Sequence, residues 1–230
     1  MLTLGLLVTG FGCTRTPVRA EDPAEDRPEA GNAAGGDQIA VRPQDESGRA
    51  TFAGGCFWCM EEVLDEPQGV SSTTSGYTGG DKVDPTYEEV SSGGTGHAEA
   101  VQVVYDPARV SYEELLELFW VNVDPTVNNR QFCDTGRQYR PAIFYHDETQ
   151  KRLAEESRDR VQRTKTFAGP ILVEISPASE FYPAEDYHQD FYEKSPLRYK
   201  LYKFNCGRTK RLEQLWGKHA DGRATQPEKG

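Results

Sequence analysis

The hydrophobic pattern of the chain starts near Arg49, and from there short apolar runs are each closed by glycine, proline or aspartate. Ala50-Thr51-Phe52-Ala53 reads as a strand leading into Gly54-Gly55, where paired glycines permit a sharp turn. Phe57 to Leu64 has helix-compatible composition with acids in its early turns, which suits the positive end of a helix. Gly69 to Gly76 predicts a strand, ended by Gly79-Gly80, and Tyr87-Glu88-Glu89-Val90 a short turn or helix. Glu99 to Tyr105 alternates in part and predicts a strand closed by Asp106-Pro107. Ser111-x-x-Glu114 is a capping pattern, heading a helix with Leu115, Leu116, Phe119 and Val123 on its apolar face. After a polar, irregular segment from Asn128 to Arg140, the pattern predicts a buried strand at Ala142–Tyr145 and an amphipathic helix at Glu148–Lys165. A further strand is expected at Ile171–Ile175, a short helix around Asp186–Phe191, and a last helix at Arg208–Trp216. Strands and helices intermingle without a repeat or a dinucleotide-binding glycine pattern, so an α+β two-layer sandwich fits.

The flanks read differently. Met1 to Gly12 is small, apolar and uncharged, too short to span a bilayer and similar to the apolar part of a secretory leader, although the usual basic start is missing. Cys13 follows Gly12 directly, as at a bacterial lipoprotein cleavage site, with Gly10 standing where leucine is usual. From Thr14 to Gly48 the chain has scarcely any large apolar side chain and cannot bury enough surface to offset ordering entropy. The expected organisation is therefore a leader at 1–12, a disordered acidic tether at 13–48, a folded domain at 49–217 and a frayed tail at 218–230. Export to a bacterial periplasm or cell envelope, with lipidated Cys13 as a surface anchor, follows from that reading. A formal net charge of −11 without a lysine- and arginine-rich patch argues against a nucleic-acid partner.

Five cysteines leave at least one outside any pairing. Cys56 is expected at a helix N-terminus, where free backbone N–H groups favour an anion and would lower the thiol pKa. Cys59 follows one helical turn later. The sharp reading is a nucleophilic Cys56 with a nearby second thiol. Two alternatives stand beside it. Cys56 and Cys59 alone would suffice for a general thiol–disulfide oxidoreductase. Together with Cys133 and Cys206 they would make a zinc-stabilised binding module, which predicts unfolding on chelation. His97 and His188 lack a recognised metal-ligand spacing relative to the cysteines. They read as hydrogen-bonding residues near the site, and no metal or prosthetic cofactor is expected.

Gly55-Cys56-Phe57-Trp58 resembles the signature of the A-type peptide methionine sulfoxide reductases. The resemblance continues in family order through Gly76-Tyr77-Thr78-Gly79-Gly80, Pro85-Thr86-Tyr87, Gly96-His97-Ala98-Glu99, Asp124-Pro125-Thr126, Arg130-Gln131-Phe132, Gln138-Tyr139-Arg140 and Ala184-Glu185-Asp186-Tyr187-His188-Gln189. It spans about Arg49 to Trp216 and implies an α+β sandwich with a central mixed sheet, a ferredoxin-like core with long irregular segments. It implies thiol-dependent reduction of the S epimer of methionine sulfoxide, free and in proteins, by a monomer. By resemblance Cys56 is the nucleophile and Glu99 the acid. Tyr87 and Tyr139 bind the sulfoxide oxygen, and Asp134 orients the site and helps the thiolate form. Phe57 and Trp58, with His188, line the substrate pocket. A sulfenic acid on Cys56 then needs a resolving thiol and an external thioredoxin-like dithiol. Cys59 ranks first as that thiol, by proximity in sequence. Cys206, where the family often places a recycling cysteine, ranks second, and Cys133 beside Asp134 stays open. Cys59 is a departure, standing where the family often has glycine.

Overall fold

A computed structural model describes residues 47–217. The leader, Cys13, the tail from 218 onward and nearly all of the tether lie outside the described residues.

Alternation along three strands builds the protein around one sheet. β1 (Gly48–Gly54), β3 (Ala98–Tyr105) and β6 (Pro141–Tyr145) each send alternate side chains to opposite faces. Ala50, Phe52, Val101, Val103 and Ile143 enter the main core on one face. Ala53, Ala98, Ala100, Ala142 and Phe144 form a thinner cluster on the other, closed by Ala178 and Phe181. With β2 (Val70–Thr78), β7 (Glu174–Pro177) and β8 (Tyr182–Pro183) the sheet has the order β7-β6-β1-β3-β2-β8. Only β6 and β7 pair in parallel, so the sheet is mixed. The central four strands and their two crossovers have the split βαβ connectivity of a ferredoxin-like core.

The helical layer packs on the large-residue face. α1 (Phe57–Asp65) lies on β2 and β3, α3 (Tyr112–Val121) on β1, and α4 (Glu148–Thr164) on β6 and β7. α2 (Tyr87–Ser92) is a short turn of helix after β2. The capping pattern at Ser111 works as read, closing a reciprocal box with Glu114 on α3, and the structure adds a second box, Thr86 with Glu89, on α2. Within the polar stretch after α3, two-residue strands β4 (Arg130–Gln131) and β5 (Asp134–Thr135) form a tight hairpin.

Several elements differ from the sequence expectation, which did not include the two-residue strands β4, β5 and β8 and ended β2 at Gly76. β1 starts at Gly48, one residue before the expected boundary, and pairs there with Tyr105. The apolar run from Ile171 does not all become strand. Leu172 donates its N–H to Pro125 O at 2.7 Å, tying the run to the end of α3, and pairing with β6 starts only at Glu174. The short helix near Asp186 forms only as α5 (Phe191–Lys194), because Asp190 adopts φ +51° and donates its N–H to Glu61. The largest miss is α6 (Pro196–Asn205), which precedes the expected α7 (Arg208–Trp216).

Phe52 is fully buried where the layers meet, stacked on Phe119 and Tyr112 at ring-centroid separations of 5.4 and 6.0 Å. Replacing it with alanine should lower the unfolding free energy by about 3–5 kcal/mol in urea titration. A loss below about 1 kcal/mol would mean that this face is not the organising core.

Candidate active site

The chain turns from β1 into α1 at Gly55, whose φ of +84° is ordinary only for glycine; a Cβ there would also meet Gln131 Cβ at 2.5 Å. The turn places Cys56 as the N-cap residue of α1. The next amide, Phe57 N–H, donates to Glu99 Oε2 at 3.1 Å. Glu99 is the second residue of β3, only 2 % exposed, so its carboxyl is held against the N-terminus of the helix that carries the nucleophile. Cys56, Phe57, Trp58, Tyr87, Glu99, Asp134, Tyr139 and Tyr202 line a single cavity of about 60 Å³.

Each wall is fixed from behind. Tyr87 opens α2, and its N–H donates to Glu185 Oε1 at 2.9 Å, while Tyr77 O–H donates to Glu185 Oε2 at 2.9 Å. Trp58 stacks on Phe191 with 3.9 Å between centroids and donates its indole N–H to His188 Nδ1 at 3.1 Å. Asp134 and Tyr139 come from the polar loop. There the buried Gln131 amide donates to Asp124 O and accepts from Asp124 N–H, and Phe132 takes φ +52° at the hairpin turn. Arg208, buried at the start of α7, donates to Asn122 O at 2.6 Å and covers the Phe132 ring.

Two placements differ from the sequence reading. His188 is buried behind Phe57, Trp58 and Tyr87 and is not on the cavity wall, so it positions those rings and does not line the substrate pocket. Its Nδ1 accepts from Trp58, which assigns the ring proton to Nε2, 3.9 Å from Glu185. Tyr202 is on the wall and was missed, together with the helix that carries it. Ser195-Pro196 followed by Tyr199 and Tyr202 at helical spacing is the signal, since proline favours the first position of a helix. His97 matches its hydrogen-bonding role. Its Nδ1 accepts from Gly80 N–H and its Nε2 pairs with Lys82 O at 2.7 Å, which fixes the loop after β2.

The four described cysteines divide into two pairs. Cys56 and Cys59 are free, buried and three residues apart at the start of α1. Cys133 and Cys206 form a disulfide, with Cys133 exposed. Cys206 Sγ lies 4.0 Å from both Asp134 Oδ2 and Tyr202 O, so the bond sits just outside the cavity wall. While Cys133 and Cys206 are bonded to each other they cannot complete a four-thiolate zinc site with Cys56 and Cys59.

Burial dominates the electrostatics. Burial, then the hydrogen bond and charge of Cys59, hold the Cys56 thiol well above its ordinary value. The helix N-terminus was expected to lower it, but the Cys56 side chain makes no capping hydrogen bond and desolvation wins. Cys59 accepts from Cys56 and faces Arg208 and Lys203, and is held down at about 7. Burial pushes Glu99 up to about 8, against the opposing hydrogen bond from Phe57 N–H. Burial also raises Asp134, while Tyr202 and Arg208 oppose that rise.

A carboxyl raised on folding binds its proton more tightly in the native state. Its stabilising contribution is complete below the unfolded value near 4.5 and is lost progressively as pH rises to about 8. The stability of the wild type relative to Glu99→Gln should therefore fall between about pH 5 and pH 8 and level off above it. A pH-independent difference in urea midpoints would show that Glu99 ionises normally.

The chain is similar to known proteins. The family described as peptide methionine sulfoxide reductase matches residues 48–220. The peptide methionine sulfoxide reductase MsrA of Bacillus licheniformis is 52 % identical over 172 residues, covering 75 % of this chain and 95 % of its own length. The Bacillus subtilis protein of the same name is 51 % identical over 168 residues, covering 73 % and 95 %. Among solved structures, methionine sulfoxide reductase A of Corynebacterium diphtheriae superposes with a TM-score of 0.63 at 37 % identity, covering 68 % of this chain and 79 % of its own. Reduced Mxr1 from Saccharomyces cerevisiae gives 0.62 at 30 % identity, covering 66 % and 87 %. With a match over most of its length and relatives at half identity, the chain belongs to the peptide methionine sulfoxide reductase family of oxidoreductases.

Proposed function

We propose that this chain reduces methionine S-sulfoxide, free and in proteins, with Cys56 as nucleophile and Glu99 as acid. One observation carries the assignment of roles: a thiol, a carboxyl held protonated near neutrality, three phenols and two further aromatic rings meet in one small cavity. A sulfoxide sulfur is electrophilic and its oxygen carries negative charge, so reduction needs a soft nucleophile on sulfur and proton donors on oxygen. The Cys56 thiolate attacks the sulfur. Glu99 gives its proton to the oxygen, which Tyr87 and Tyr139 hold by hydrogen bonds. Phe57 and Trp58 pack the S-methyl group. The S–O bond breaks, methionine leaves, and the oxygen remains on Cys56 as a sulfenic acid.

Cys59 resolves it. It follows Cys56 by one helical turn at the start of α1, and its low pKa makes it the better thiolate of the pair. Attack on the Cys56 sulfenic acid forms a Cys56–Cys59 bond and releases water. An external thioredoxin-like dithiol then restores both thiols. A second route is favoured by the position of Cys206 against Asp134 and Tyr202, from which it could exchange with the inner pair when Cys133–Cys206 is reduced. A plain thiol–disulfide oxidoreductase would need neither Glu99 nor the phenols.

The proposal extends to location: the leader-like run Met1–Gly12 before Cys13 supports export and lipid anchoring. Wild-type chain should fractionate with membranes and Cys13→Ala should not; equal partitioning would remove the anchor.

Single-turnover reduction of the two separate sulfoxide epimers, without external reductant, tests the chemistry. Methionine should form from the S epimer only, with a Cys56–Cys59 bond on mapping. Glu99→Gln should lose most of this rate, on the order of a hundredfold or more, yet keep disulfide exchange. A Cys56–Cys206 bond would transfer resolution to the outer pair, and methionine from neither epimer would end the reductase reading.

A further inference from the structure

Buried at the mouth of α1, Cys56 has to lose its proton before it can attack. It is faced by Cys59 of its own helix, Glu99 from β3, Tyr87 from α2, Asp134 and Tyr139 from the polar loop, and Tyr202 from α6. Glu99 must keep its proton for the sulfoxide oxygen, so it is not the base. The two phenols assigned to the substrate make no hydrogen bond with an acceptor that would take a proton onward.

Tyr202 differs from both. Its hydroxyl donates to Asp134 Oδ2 at 2.5 Å, and it shares the cavity wall with Cys56. A phenol has one proton to give and lone pairs to accept with, so it can stand between a thiol and a carboxylate as a relay. The ring is held edge-on to Trp58 with 5.7 Å between centroids. Its helix is fastened on both sides. Tyr199 O–H donates to Glu62 of α1 at 2.5 Å, Lys203 pairs with the same carboxylate, and the Cys133–Cys206 bond ties the end of α6 to the hairpin that carries Asp134.

We propose that Tyr202 is a catalytic residue of this site, relaying the Cys56 proton to Asp134. In one concerted step the Cys56 S–H proton passes to the Tyr202 oxygen while the Tyr202 O–H proton passes to Asp134 Oδ2. The products are a thiolate, an intact phenol now donating to it, and a neutral carboxyl. No net charge enters the cavity: one negative charge moves from Asp134 to the sulfur. That exchange avoids the desolvation penalty of creating a second buried anion. Burial already raises Asp134 and so makes it a better proton acceptor. Transfer to Cys59 is the competing route, but it would neutralise the thiol that must resolve the sulfenic acid. The proposal rests on Cys56 being the nucleophile, and adds the path by which it ionises.

The test compares Tyr202→Phe, Asp134→Asn and the double variant with wild type, in single-turnover methionine formation and in iodoacetamide labelling of Cys56 followed by peptide mass spectrometry across pH. Phenylalanine keeps the ring against Trp58, and circular dichroism with mapping of Cys133–Cys206 checks that α6 stays in place. Tyr202→Phe should slow methionine formation by about ten- to a hundredfold and raise the pH midpoint of Cys56 labelling by about one unit. Because the two residues form one relay, the double variant should be no slower than the slower single variant. Wild-type rate and labelling midpoint in Tyr202→Phe would overturn the proposal, as would single effects that multiply in the double variant. If wild type itself forms no methionine, the function assignment fails, while the labelling midpoint still decides whether Tyr202 governs Cys56 ionisation.

Discussion

The hydrogen bond from Phe57 N–H to Glu99 is the constraint on which the rest of the site depends. It joins the first turn of α1 to the start of β3, two elements forty-two residues apart in sequence, and both partners are buried. Were Glu99 elsewhere, the amide would be an unpaired donor in the core, and the carboxyl would have no reason to stay inside. Sheet pairing fixes the other coordinates. β1 delivers Gly54 and Gly55 beside Pro141, which follows directly on the loop carrying Asp134 and Tyr139. The nucleophile, the acid and that loop thus meet because β3, β1 and β6 are neighbours in one sheet.

Desolvation is the common currency of the cavity. It holds Cys56 protonated, holds Glu99 protonated, and raises every phenol on the wall. For Glu99 this is useful directly, since a proton donor with a value near 8 is loaded at neutral pH. For Cys56 the same burial opposes function, so the thiol depends on specific neighbours and not on the helix N-terminus alone. The contrast between Cys56 and Cys59 shows how local this is. They are three residues apart on one turn, but only Cys59 has Arg208 and Lys203 acting to lower its value.

The fold was legible where patterns are short-range. Alternation in β1, β3 and β6, and the capping box at Ser111, are written in neighbouring residues. Helix α6 was not legible, because its burial is uneven: Tyr199 is buried while Leu197, Leu201 and Phe204 are exposed, so no apolar stripe marks a core-facing side. Its position comes from long-range contacts with Glu62 and Asp134 and from the disulfide. Cys56 could be picked out from its place after the paired glycines, but Glu99, Tyr87, Tyr139 and Asp134 only through ordered family motifs, since a buried glutamate and a solvated one look alike in sequence. His188 was placed on the wrong side of the rings for a related reason. A motif fixes that a histidine is near the site, but only packing decides whether it faces substrate or supports the residues that do.

The two cysteine pairs solve different physical problems. A thiolate that attacks sulfoxide sulfur works best where water is excluded, which buries Cys56 at 6 % exposure and Cys59 at 2 %. Cys133 is exposed, and its partner Cys206 reaches within 4.0 Å of two wall residues, so the outer bond spans the distance from solvent to cavity. In the state described here the inner pair is reduced and the outer pair oxidised. The same covalent bond also ties Tyr202 to the Asp134 hairpin. Redox state at the surface and proton transfer at the nucleophile therefore act through one short segment, residues 199–206.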